Sequence, residues 1–192
     1  QEPQLSIAGG EKEARPFIAQ FQRNAVLTSR GVHQVRPNEP RTANRHHMTV
    51  KNFVVIGGSY GIGAGIVARL AQQQHRVDLL SRTNEADDCA DSAHIHFHRF
   101  DALSDDINPD WLPDEIHGLV YCPGSINLGP LRGLKPAAMM QDYQLNVIGA
   151  VKCLQACLKP LKAAKYASVL MFSTVAVSQG LAMHASVAAA KG

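Results

Sequence analysis

Phe53-Val54-Val55-Ile56-Gly57-Gly58-Ser59-Tyr60-Gly61-Ile62-Gly63 is the stretch on which the fold turns. Its first four residues are apolar and rich in β-branching, as a strand buried on both faces requires. Glycines follow at 57, 61 and 63, and a helical run, Ile62 to Leu70, comes directly after them. A strand, a glycine turn and a helix start build an anion site. Glycine permits the tight turn and the close approach of a phosphate to the backbone, while the unpaired N–H groups of the first helical turn face the negative charge. The expected cradle is Gly57, Ser59, Tyr60, Gly61, Ile62 and Gly63. Strand and helix context is what separates it from an ordinary glycine-rich turn.

Working outward, the 192-residue chain is long enough for one domain with a sizeable core. With 45% hydrophobic and 18% charged residues it has the composition of a soluble globular protein. No run of eighteen apolar residues occurs, so no membrane partner is expected. The net charge of +3 sits wholly in residues 1–47, which hold seven Lys/Arg against four Asp/Glu; the remainder is balanced at twelve of each. The folded part therefore has no electrostatic case for nucleic acid. Cys89, Cys122, Cys153 and Cys157 form no C-x-x-C pair, and Cys153 and Cys157 share an apolar stripe one helical turn apart. Core packing in a reducing compartment, the cytoplasm, fits that usage.

Residues 1–47 carry scattered arginines and prolines without sustained periodicity. They are read as a flexible or non-native extension; Glu2, Glu11, Glu13 and Glu39 count against a transit peptide. From residue 48 onward, strand and helix patterns alternate, which predicts an α/β fold with a parallel sheet covered on both faces. Strands are expected at 53–56, 76–81, 94–101, 118–124 and 167–173, with a first helix over about 61–74. A short helix is expected between Thr83 and Ala93, and one long helix over 136–161. His94, His96 and His98 share a strand face, but no third ligand follows at a convincing spacing, so no metal site is assigned. The second strand ends in Ser81-Arg82 with no carboxylate at its tip. In such folds a basic residue there accommodates the 2′-phosphate of NADP, where an acidic one would favour NAD. Ser81 and Arg82 thus point to NADP, with NAD as the alternative.

The spacing Gly57-x-x-x-Gly61-x-Gly63 resembles the first turn of the short-chain dehydrogenase/reductase family, T-G-x-x-x-G-x-G, with Ile56 in the threonine position. The resemblance covers residues 50–192. It implies a Rossmann-like doubly wound parallel sheet in three α/β/α layers. It also implies further site residues: Asp101 for the adenine amino group, Gly124 at the end of the segment that reads N-N-A-G in the family and Tyr121-Cys122-Pro123-Gly124 here, and Asn146 for the active-site asparagine that holds a water chain. The helix over 136–161 matches the one through which the family pairs into homodimers and homotetramers.

The family's chemistry uses a tyrosine and a lysine spaced Y-x-x-x-K, with a serine thirteen positions before the tyrosine. Lys191 matches the lysine and Thr174 the serine position, but Val187 stands where the tyrosine would be. Three readings stay open. The chain is an oxidoreductase acting on a small carbonyl or alcohol, its proton coming from elsewhere, with His184 three residues before Val187 the nearest candidate. Alternatively it binds NADP(H) without turnover, as a sensor or partner subunit. Thirdly, it is a degenerate or incomplete member. Related folds continue beyond the position of Lys191, so the C-terminal strands are expected to be missing from this sequence.

Overall fold

Val54, Val55 and Ile56 are buried to within 1% because the strand that carries them, β1 (Asn52–Ile56), lies in the middle of a parallel sheet. The computed structural model describes residues 49–83 and 93–192. The expectations for residues 1–47, for the helix between 83 and 93 and for Cys89 lie outside them. After β1 come α1 (Gly61–Gln72), β2 (Arg76–Ser81), β3 (Ile95–Arg99), β4 (Gly118–Tyr121) and α2 (Pro136–Tyr143). A π-helical turn (Gln144–Ile148) leads into α3 (Gly149–Ala163), followed by β5 (Ser168–Met171), α4 (Val175–Gln179) and α5 (Ala185–Lys191).

All strand pairs are parallel and the sheet order is β3-β2-β1-β4-β5, so the strand order reverses beside β1. This is the doubly wound arrangement, in which ligands bind at the carboxyl ends of the strands where the winding changes direction. Register follows from alternation along β1. Val54 and Ile56 face one side and pack with Leu80, Leu119, Cys153, Cys157 and Leu161, which brings α3 onto that face. Val55 faces the other side with Val67 of α1, Val77, Leu79 and Val120. Cys153 and Cys157 are core thiols, as their spacing predicts, and burial pushes both up to about 12.

Several boundaries differ from the sequence expectation: β3 (Ile95–Arg99) and β5 (Ser168–Met171) are shorter than 94–101 and 167–173, β4 stops at Tyr121 short of 124, and two helices depart as well. The long helix over 136–161 is interrupted at 144–148 by a π turn. A π turn releases backbone carbonyls from the regular ladder; the Leu145 carbonyl accepts instead from the Tyr121 hydroxyl at 2.6 Å. Gly149 makes room for this. A Cβ there would lie 2.6 Å from the Tyr121 hydroxyl oxygen and 2.9 Å from the Ala102 carbonyl. The first helix ends at Gln72 rather than about Gln74. Gln74 adopts φ 60°, its N–H reaches the Ala71 carbonyl at 2.8 Å, and the His75 N–H reaches that of Leu70 at 3.1 Å, closing the helix with a left-handed residue.

Two substitutions test this account with opposite signs. Gln74→Gly removes a Cβ from a left-handed position and should stabilise the fold by about 0.5–1 kcal/mol in urea denaturation. Gly149→Ala should destabilise it by about 1–3 kcal/mol, because the methyl meets backbone and a committed hydroxyl.

Candidate functional site

The glycine turn is shaped by contact rather than by flexibility. Gly57 has φ 73° and Gly61 φ 60°, the left-handed region that favours glycine. A Cβ on Gly63 would sit 2.4 Å from the Gly57 carbonyl and 2.8 Å from Gly58 Cα, so the start of α1 presses directly on the turn. Around Gly61 the space is open, with no atom within 4 Å of such a Cβ. Tyr60 is the N-cap residue, yet its side chain makes no cap hydrogen bond, and no acidic residue occupies the first turn. The leading amides of α1 have no intrahelical acceptor and the positive end of the helix dipole stands uncompensated. Tyr60 and Ile62 are exposed beside it.

The turn is tied to the tip of β2 in two places. The Gly57 N–H donates to the Leu80 carbonyl at 2.8 Å. The hydroxyls of Ser59 and Ser81, both buried, lie 2.7 Å apart. Ser59 thus supplies the tie that Ile56, lacking a hydroxyl, cannot. Ser81 is committed to this contact, and Arg82 stands exposed just past the strand. Asp101, after β3, holds a local turn: its Oδ1 accepts from the Leu103 N–H at 3.0 Å. Asp78, inside β2, is fully buried and faces Arg76 (3.0 Å) and His98 (3.2 Å), which stacks on Trp111. It does not extend to the strand tip.

A second group of residues converges past the end of β4. A Cβ on Gly124 would lie 3.4 Å from Asn146 Oδ1 and 3.5 Å from Lys191 Nζ, so both polar groups flank this glycine. Lys191 Nζ donates to the Phe172 carbonyl at 3.0 Å, and burial lowers its pKa from the ordinary lysine value. Asn146 lies in the π turn and its amide donates to the Asp142 carbonyl at 2.9 Å. Its Oδ1 is buried without a partner. Such an atom is costly unless a water or ligand group satisfies it.

Thr174 caps α4, its Oγ1 accepting from the Ala176 N–H at 3.3 Å, which leaves the hydroxyl proton free to donate. His184 caps α5, with Nδ1 2.7 Å from the Ala182 carbonyl. A carbonyl only accepts, so Nδ1 bears the proton and Nε2 of the neutral ring carries the free lone pair. Val187 is buried, 2% exposed.

Two residues escaped sequence reading. Tyr121, in place of an asparagine, appears there only as a lost amide, yet its phenol engages the π turn. Asp142 is fully buried and accepts three side-chain hydrogen bonds; one acidic residue in a helical stripe gives no signal of that.

Residues 51–192 match the family described as short chain dehydrogenase. Solved structures agree in fold. One described as a short chain dehydrogenase from Salmonella enterica serovar Typhi CT18 superposes with a TM-score of 0.66 at 22% identity, covering 75% of this chain and 66% of that one. A second, from Shigella flexneri 2a str. 301 and complexed with NADP, gives a TM-score of 0.65 at 21% identity over 73% of this chain and 66% of that one. A third, from Escherichia coli CFT073 with NADPH, gives 0.65 at 21% over 73% and 65%. The chain thus spans slightly less than two thirds of the length of these relatives. No curated protein matches it. Among the described residues no helix is long and apolar enough to cross a membrane.

The desolvated Lys191 gives a pH-dependent signature. With its folded pKa lowered, the charged ammonium opposes folding at neutral pH, and that penalty fades as pH rises through the folded pKa toward the unfolded value. Lys191→Met should therefore be more stable than the parent at pH 7, with the difference shrinking by pH 10. Paired urea titrations at the two pH values check the sign.

Proposed function

This chain belongs to the short-chain dehydrogenase family, and from that premise we propose an NADP(H)-dependent oxidoreductase acting on a small carbonyl or alcohol. The observation that carries the proposal is the pairing of an uncapped α1 with Asn146 and Lys191 converging on Gly124. Gly57, Ser59, Tyr60, Gly61, Ile62 and Gly63 would hold the pyrophosphate on the open side of the turn. Arg82 would meet the 2′-phosphate, since Ser81 is occupied by Ser59; Asp101 has a second carboxylate oxygen for the adenine amine. Bound cofactor supplies or accepts the hydride.

The protein's own groups manage orientation and the proton. Lys191 would hold the nicotinamide ribose, its charge made more demanding of a partner by burial. Thr174 would donate its free hydroxyl proton to the substrate oxygen. Asn146 Oδ1, orphaned in the protein, would accept from a water that links toward Lys191. His184, positioned through Nδ1, would exchange the proton at Nε2 that Val187 cannot. We assign this domain to residues 48–192. A cytoplasmic setting suits the free thiols of Cys122, Cys153 and Cys157. The apolar residues Met140, Tyr143, Val151 and Leu158, exposed along α2 and α3, suit a homodimer or homotetramer.

Val187 itself favours a second reading, in which the domain binds NADP(H) as a sensor or partner subunit without turnover. One set of measurements separates the two. NADPH should bind more tightly than NADH, with Arg82→Ala weakening NADPH by about tenfold or more. Oxidation of NADPH by a panel of ketones and enones should fall in His184→Ala and rise in Val187→Tyr. Tight binding with no turnover, indifferent to His184→Ala, selects the sensor. Failure to bind either nucleotide sinks both.

A further inference from the structure

The buried carboxylate of Asp142 lies outside every role assigned so far. It is 0% exposed, and among the described residues no lysine, arginine or histidine forms an ion pair with it. Three donors surround it instead: Ser125 Oγ to Oδ1 at 2.5 Å, Asn127 Nδ2 to Oδ1 at 2.7 Å, and Ser186 Oγ to Oδ2 at 2.5 Å. Burying a carboxylate is unfavourable unless its lone pairs are met, and donors to a charged acceptor make the stronger hydrogen bonds. A residue whose removal would leave three donors unmatched is costly for a fold to keep and costly to lose.

The partners of Asp142 explain its place. Ser125 follows Gly124 directly, Ser186 lies on α5 with Lys191, and Asn146 donates to the backbone carbonyl of Asp142 itself. Each of the three groups that converge behind the cradle is thus attached, by one step, to the same residue. The α2 helix packs along α5, which puts the carboxylate between the two helices and the turn after β4. At its C-terminal end α5 is tied to the segment after β5, where Lys191 Nζ donates to the Phe172 carbonyl at 3.0 Å and Ser173 Oγ donates to the Lys191 carbonyl at 3.2 Å. The bond from Ser186 Oγ to Asp142 is the directional tie at the other end of the helix.

We propose that Asp142 is a positioning residue, whose carboxylate locks the Gly124–Ser125 turn to α5 and so seats Lys191 beside Gly124 and Asn146. The role rests on the oxidoreductase reading only for its purpose; its geometry can be tested without cofactor or substrate. Lys191 is a reporter, because burial alone lowers its pKa, so any loosening of α5 hydrates the ammonium and raises it.

The test is a carbon-detected titration of protein labelled at lysine Cε, with the Lys191 signal assigned through Lys191→Arg. The variants are Asp142→Asn, Ser125→Ala and Ser186→Ala, each confirmed folded by its circular dichroism. The Lys191 midpoint should move upward toward the ordinary lysine value in Asp142→Asn and part of the way in Ser186→Ala, while the other lysines stay put. If Asp142→Asn does not fold, the two serine variants carry the test. A Lys191 midpoint unmoved in every folded variant overturns the proposal. Nicotinamide nucleotide binding, measured on the same samples, keeps the two claims apart. A parent chain that binds no nucleotide yet shows the upward shift loses the proposed function and retains the positioning role. Normal nucleotide binding with an unmoved Lys191 does the reverse.

Discussion

The contact between Gly63 and the Gly57 carbonyl sets the geometry on which the rest depends. A single methyl group there would have to occupy space already filled by backbone. Because nothing intervenes, α1 begins hard against the turn that follows β1. Gly61, by contrast, is exposed, and a Cβ there would meet nothing within 4 Å. A helix start without a side-chain cap or an acidic first turn is otherwise an unfavourable way to begin. An anion arriving from outside the chain, as the proposed function has it, would satisfy the leading amides of α1.

Around this contact the protein uses small polar ties where its relatives' patterns would suggest others. Ile56 provides no hydroxyl, and the Ser59–Ser81 pair joins the turn to β2 instead. Tyr121 provides no amide, and its phenol holds the π turn through the Leu145 carbonyl. Each replacement changes the atoms and keeps the connection. Both are buried or half-buried, so they are worth more than the same bonds would be in water. The π turn matters beyond its own hydrogen bonds, because it carries Asn146 and leaves Oδ1 facing Gly124 with no partner. A regular helix through 144–148 would have turned later residues by a different angle, and α3 would meet the sheet in another register.

Much of this was legible from residue order. The β-branched run before Gly57, the glycine spacing, the alternation of strand and helix, and the Cys153–Cys157 stripe each read correctly because they depend on local chain geometry and on periodic burial. The two core faces follow from the alternation of Val54, Val55 and Ile56 alone. Helix boundaries were less legible. Gln74 is a good helix former, and only the closing bonds to Ala71 and Leu70 reveal that the chain has already turned. The break at 144–148 was invisible, since the hydroxyl that engages it belongs to a tyrosine of β4, distant in sequence.

Residue types in sequence therefore determined the sheet, the glycine turn and the set of candidate side chains, because strand burial and turn conformation are decided within a few neighbours. Tertiary structure decided which of those side chains meet. It set Asn146 and Lys191 beside Gly124, gave Ser59 to Ser81, and enclosed Asp142 among three donors drawn from two other segments. The physical reason is that hydrogen bonds between distant segments form only once packing has removed water from between them, and no local pattern encodes where that happens.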